Sequence, residues 1–160
     1  MPTHEYEVLR RSRLAAELSD PECEVLAGLV ETRRLPGDAI VCAQGESDSR
    51  LHLVVSGALA VSRKDDRGQW ENLHVKTAGD LVGELSFLDG TPHHSTLRAL
   101  GDTEIASLER ERLESLVTKH PWIVYRVMRA IVHETHELQR RMSLQMAELG
   151  NYIFKQHGRY

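Results

Sequence analysis

The chain has 160 residues, 41% of them hydrophobic and 28% charged, with a net charge of −4. That length supports one domain with its own core, and the two cysteines, Cys23 and Cys42, exclude a disulfide-rich scaffold and favour a reducing, cytoplasmic setting. No apolar run approaches the roughly 20 residues that span a bilayer, the polar segment Met1–Arg11 lacks the apolar core of a signal peptide, and 5% aromatic residues give little stacking surface for single-stranded nucleic acid.

Residues 1–18 read as a polar lead-in with helical character. Ser19-Asp20-Pro21-Glu22 is a helix start: Ser19 caps, Pro21 fits an early position, and Glu22 completes a capping box. Val25, Leu26, Leu29 and Val30 follow at helical spacing, and Leu35-Pro36-Gly37-Asp38 ends that helix. From Ala39 to Leu108 short apolar runs alternate with turn residues, the signature of an antiparallel barrel or sandwich. His52–Val55, Ser56-Gly57 and Ala58–Val61 read as a hairpin, and Asp65-Asp66-Arg67-Gly68 as a second tight reversal.

After Leu108 the helical period returns. Arg110–Lys119 places Leu113, Leu116 and Val117 on one face, and His120-Pro121 marks a break and restart. A long helix is predicted from Pro121 to about Leu149. Along it Met128, Ile131, Thr135, Leu138, Met142, Gln145 and Leu149 repeat in steps of three and four, the seam of a two-stranded coiled coil. A helix that both packs on its own barrel and forms a homodimer through residues 121–149 is expected, against the alternative of packing on the barrel alone. The expected organisation is 1–35 as an N-terminal helical region, 36–109 as a β-barrel ligand-binding domain, and 110–160 as C-terminal helices and tail. Tyr152, Ile153 and Phe154 form a small apolar cluster in that tail, either folded back on the barrel or anchoring another, unidentified protein.

The charge is unevenly spread. Residues 1–120 carry 14 Lys and Arg against 21 Asp and Glu, a balance of −7, while residues 121–160 carry 6 against 3, a balance of +3. An acidic body repels phosphates, and the tail is a thin basis for holding them, so direct DNA binding is not expected. Metal and enzyme readings fare no better. His133 and His136 share a helix face without a third ligand, and His52, His74 and His93 are scattered in sequence. Cys23 and Cys42 read as small buried hydrophobes. No nucleophile elbow, phosphate loop or spaced carboxylate pair is present, so no catalytic or metal residue is assigned.

Five segments carry a family resemblance: Leu35-Pro36-Gly37-Asp38, Gln44–Ser49, the strand and turn Leu51–Gly57, Thr77–Leu88, and Ser95–Ala99. Together they resemble the cyclic nucleotide-binding domain of the catabolite activator protein and FNR family. The fold this implies is α+β, mainly β: an antiparallel barrel or jelly roll with N-terminal helices and a long C-terminal helix. The implied ligand is a cyclic nucleotide, cAMP or cGMP, and no other cofactor is expected. Transcription factors of the family continue into a helix-turn-helix domain; ten residues after Gly150 are too few for one, so a stand-alone regulator is expected.

The resemblance implies a phosphate-binding cassette. Gly83 lets the backbone approach a ligand, and Gly83, Glu84, Leu85 and Ser86 open a short helix whose free N–H groups face an anion. Glu84 corresponds to the family carboxylate that accepts from the ribose 2′-hydroxyl. Aligning Thr91-Pro92 with the family loop puts His93 where the family has the phosphate-binding arginine, followed by His94 and Ser95. Histidine lacks the guanidinium fork and is mostly neutral at pH 7. Losing one partner of a buried charge pair costs on the order of 2–5 kcal/mol, a weakening of roughly thirty- to several-thousand-fold. Arg98 is no substitute, since Leu97 and Ala99 share the inward face and Arg98 points outward. The resemblance implies that the long helix near Leu138 and Gln139 closes over the base, which makes Gln139 a candidate to hydrogen-bond the ligand, against the reading of a surface glutamine. Three readings follow: weak cyclic nucleotide binding, another small ligand, or a relic pocket in a ligand-free dimerisation and docking domain.

Overall fold

The computed structural model of the chain describes residues 1–157. Two helices open it, α1 (His4–Arg11) and α2 (Asp20–Ala27), joined by a 3-10 turn at Arg13–Ala16. The capping box forms as expected: the Ser19 hydroxyl accepts from the Glu22 N–H at 3.4 Å, and the Glu22 carboxylate accepts from the Ser19 N–H at 3.0 Å. Eight strands follow: β1 (Val30–Leu35), β2 (Ile40–Cys42), β3 (Arg50–Ser56), β4 (Ala58–Lys64), β5 (Trp70–Thr77), β6 (Leu81–Val82), β7 (Thr96–Ala99) and β8 (Thr103–Glu109). A short helix, α3 (Glu84–Asp89), interrupts them between β6 and β7, and α4 (Arg110–Glu114) and α5 (Pro121–His157) close the described chain.

The strands make two four-stranded antiparallel sheets, ordered β1-β8-β3-β6 and β2-β7-β4-β5. Their facing sides bury Val54, Leu59, Val82, Leu97, Ala99 and Ile105. This is the jelly roll, with helices at its ends. A second apolar cluster joins Leu9, Leu14 and Leu26 of the N-terminal segment to Leu51 and Phe87, and to Ile123, Val127, Ala130 and Ile131 of α5. Those four positions fall on one stripe of α5, so the helix is riveted to the body over its first three turns.

Several expected elements differ. The helix starting at Asp20 ends at Ala27, and Val30 opens strand β1 instead. Its outward residues Glu31, Arg33 and Arg34 hid the strand, which is held by pairing Val30 with Leu108 through Leu35 with Thr103. His52–Val55 and Ala58–Val61 are not a hairpin: β3 and β4 lie in different sheets, and Ser56-Gly57 is a corner. The Asp65–Gly68 reversal does join paired strands, with the Gly68 N–H on the Asp65 carbonyl at 2.9 Å. Helix α4 stops at Glu114, leaving Val117 52% exposed. Helix α5 runs through Gly150 to His157, so Tyr152 and Phe154 lie exposed on a helix and do not fold back on the barrel. The end of the expected tail, residues 158–160, lies outside the described residues.

Candidate functional site

Strand β6 ends at Val82, and Gly83 turns the chain into α3 with φ +84, a left-handed conformation suited to glycine. A Cβ there would sit 3.3 Å from the Arg50 carbonyl oxygen and 3.5–3.6 Å from the rings of His52 and His93. The glycine is therefore the point where the cassette closes against the barrel wall. Ser86 serves that closure too: it is buried, and its hydroxyl accepts from the Asp48 N–H at 2.6 Å. The loop after α3 is tied to the turn after β2 by two backbone bonds of 2.8 Å, Gly45 N–H to the His93 carbonyl and His93 N–H to the Glu46 carbonyl.

Above the cassette lies a cavity of about 470 Å³. Gly83, Glu84, Leu85, His93, His94 and Ser95 line its cassette side, Lys76 and Leu97 its strand side, and Leu138, Arg141, Met142 and Gln145 of α5 its far side. Ser86 lies outside this lining, its hydroxyl spent on Asp48. Gln139 also lies outside it, exposed on another face of α5. The helix positions that reach the cavity are 138, 141, 142 and 145, a stripe at three- and four-residue spacing that leaves 139 to one side. Arg141 and Lys76 are functional candidates the sequence reading missed. The seam spacing that contains Leu138, Met142 and Gln145 was the available signal for the helix face, but nothing in it singled out Arg141.

The electrostatics separate the charged groups. Burial in the cavity wall raises the Glu84 carboxyl above its ordinary pKa; its own backbone N–H and the charge of Lys76 pull the other way, and Glu134 adds to the rise. Burial lowers the His93 pKa, against the opposing charge of Asp48, so this imidazole is neutral at pH 7. Its Nε2 is sealed from solvent and has no hydrogen-bond partner among the described residues. One nitrogen of the ring lies within 4.8 Å of the Cys42 sulfur and an Asp48 carboxylate oxygen.

Arg98 does leave the cavity, as the strand alternation requires, but it does not point into solvent. It is buried, with its guanidinium on the Asp38 carboxylate at 2.6 Å and the Asn72 amide oxygen at 3.0 Å, and 5.2 Å above the Trp70 ring. Side chains cover the outer face of the sheet at this point, Asn72 and Trp70 from β5 and Asp38 from the turn before β2, so the outward-pointing residue is covered as well.

Comparison with known proteins places this architecture. The cyclic nucleotide-binding domain family model matches residues 32–120. The cAMP-activated global transcriptional regulator CRP of Salmonella typhimurium is 26% identical over 137 residues, covering 85% of this chain and 62% of the regulator. Patatin-like phospholipase domain-containing protein 7 of Rattus norvegicus is 30% identical over 145 residues, covering 88% of this chain but 11% of that protein. The chain thus spans less than two thirds of either relative. Among solved structures, a cyclic nucleotide-binding domain from Methylobacillus flagellatus superposes with a TM-score of 0.79 at 19% identity, over 90% of this chain and 84% of that one. With the cassette, the jelly roll and the covering helix in place, the chain belongs to the cyclic nucleotide-binding domain family.

Proposed function

We propose that this chain is a non-enzymatic regulatory module that takes a cyclic nucleotide, cAMP or cGMP, in the cavity between α3 and α5, and that it signals to a partner through α5. The observation that carries this reading is the pairing of a carboxylate, Glu84, with two cations, Lys76 and Arg141, around one cavity of about 470 Å³. A cyclic nucleotide presents a ribose hydroxyl for the first and a phosphate for the second. His93 is neutral and its Nε2 is sealed from solvent, so the phosphate charge falls to Arg141 and Lys76, and binding is weaker than with an arginine at position 93. Homodimerisation through residues 121–149 belongs to the same reading. So does the ligand's grip on α5: Arg141 and Met142 touch the cavity from the helix that carries the seam.

Calorimetry with cAMP and cGMP tests it. The expected result is measurable binding that falls at least tenfold in Arg141→Gln and rises in His93→Arg. Binding by neither the wild type nor His93→Arg would overturn the nucleotide reading and leave the second one, a ligand-free dimerisation and docking domain. That reading is supported by the exposed apolar residues Trp122, Met146, Leu149 and Phe154 along α5.

A further inference from the structure

We propose that Cys42, Asp48 and His93 form a binding site for one zinc-class divalent cation on the inner side of the cassette loop. The three residues come from β2, the turn after it and the loop after α3, and nothing in their sequence spacing joins them. In the fold, the thiol sulfur, a carboxylate oxygen and an imidazole nitrogen all lie within 4.8 Å of one another. Bonds of about 2.0–2.3 Å from a tetrahedral zinc ion place its ligands roughly 3.5 Å apart. Side-chain rotations of about 1 Å therefore close the set on one ion.

Three further observations support the site. The His93 Nε2 is sealed from solvent without a hydrogen-bond partner among the described residues, an arrangement that costs free energy unless something accepts that nitrogen's lone pair or proton. The Asp48 carboxylate is already held in place: its Oδ2 meets His52 Nε2 at 2.6 Å, and its Oδ1 accepts from the Arg50 N–H at 3.1 Å. The His52 ring is fixed in turn by Ser107, 2.7 Å from its Nδ1. Finally, among the described residues the Cys42 thiol has only long contacts of 3.8–4.0 Å, to the Ala43 and Glu46 carbonyls and the Glu46 carboxylate. On binding, the thiol proton leaves to solvent as the sulfur–metal bond forms. Asp48 and His93 donate lone pairs, and no electron changes hands. One sulfur, one nitrogen and one oxygen donor suit zinc over magnesium or calcium, which prefer oxygen alone. Water or the Glu46 carboxylate, 4.0 Å from the thiol, fills the fourth position.

The inference rests on this cluster and not on nucleotide binding. It is tested on the full chain, reduced and stripped of metal, titrated with zinc chloride and, for its spectrum, cobalt chloride. The expected result is saturation at one equivalent, with the thiolate charge-transfer and tetrahedral bands of cobalt. Affinity falls at least tenfold in Cys42→Ser, Asp48→Asn and His93→Gln, the thiolate band vanishes in Cys42→Ser, and Cys23→Ser keeps both. No saturable uptake, or uptake unchanged in Cys42→Ser and His93→Gln, overturns the site and leaves adventitious binding by surface histidines. If circular dichroism shows that Cys42→Ser does not fold, His93→Gln, at a partly exposed position, decides alone.

Discussion

A carboxylate in a cavity wall is costly to keep ionised, and Glu84 shows the sign of that cost. Its folded pKa is raised by burial. Between the unfolded value, about 4.3, and the folded one, the native state holds the extra proton. The stability this contributes is complete below the unfolded pKa and is lost as pH rises through the folded pKa. Glu84→Gln is therefore expected to melt higher than wild type at pH 7.5, with the gap narrowing toward pH 4. Thermal denaturation across that range checks it, and a pH-independent gap would refute the assignment. Arg98 is the contrasting case. Its partner Asp38 has a side chain 84% exposed, so the ion pair itself contributes little. The hydrogen bond to Asn72 and the packing over Trp70 carry its effect. Arg98→Leu is expected to cost about 1–3 kcal/mol, with Arg98→Lys recovering part of it, as chemical denaturation would show.

At the scale of elements, the corner at Gly57 decides which sheet the chain enters next. Its φ is +77, and an added Cβ would lie 2.5 Å from the Asp102 carbonyl oxygen. Gly68, at the tip of the β4–β5 turn, has nearly the same φ, +76, but nothing within 4 Å. Gly68→Ala is expected to cost about 1 kcal/mol for the left-handed backbone alone. Gly57→Ala adds a backbone clash and is expected to exceed about 2 kcal/mol. Equal costs for the two would mean that the corner relaxes freely. The same corner marks the limit of what local pattern discloses. Ser56-Gly57 between two apolar runs reads as a hairpin because turn chemistry is local, whereas the choice of sheet depends on strands far along the chain. The barrel and the capping box at Ser19 were legible because each rests on short spacing, and the Gly83 turn into a short helix was legible through the family resemblance of Thr77–Leu88. Strand β1 was not, since its solvent-facing charges mask the alternation. Arg141 was not, because its role depends on which face of α5 the body turns toward α3. The neighbourhood of Cys42, Asp48 and His93 was not, because three separate segments build it.

At the scale of the whole molecule, α5 extends well past the part of it that is buried against the body. Its 37 residues extend about 55 Å, yet its described buried positions end at Ile131. Beyond that, its contacts with the body include the Arg13–Glu134 bridge at 2.9 Å and the cavity face. Of the seam, Ile131 is taken by the protomer's own core, while Met128, Leu138, Met142 and Leu149 are 38–60% exposed. A helix with an apolar stripe in water gains most of its stability from packing that stripe, so a second copy is the economical cover. Sedimentation velocity is expected to show a dimer that Leu149→Glu combined with Met128→Glu converts to monomer with the fold intact. Leu138 and Met142 belong to both the seam and the cavity, which couples the two events. By linkage, a ligand that changes the dimerisation constant by some factor must have its own affinity changed by the same factor on dimerisation, typically about 5–150-fold. Saturating cAMP is therefore expected to shift the dimerisation constant of the wild type, and the monomeric double variant is expected to bind the nucleotide with the correspondingly altered affinity. A dimerisation constant indifferent to bound nucleotide would separate the cavity from the helix and remove α5 as the route by which the ligand is read.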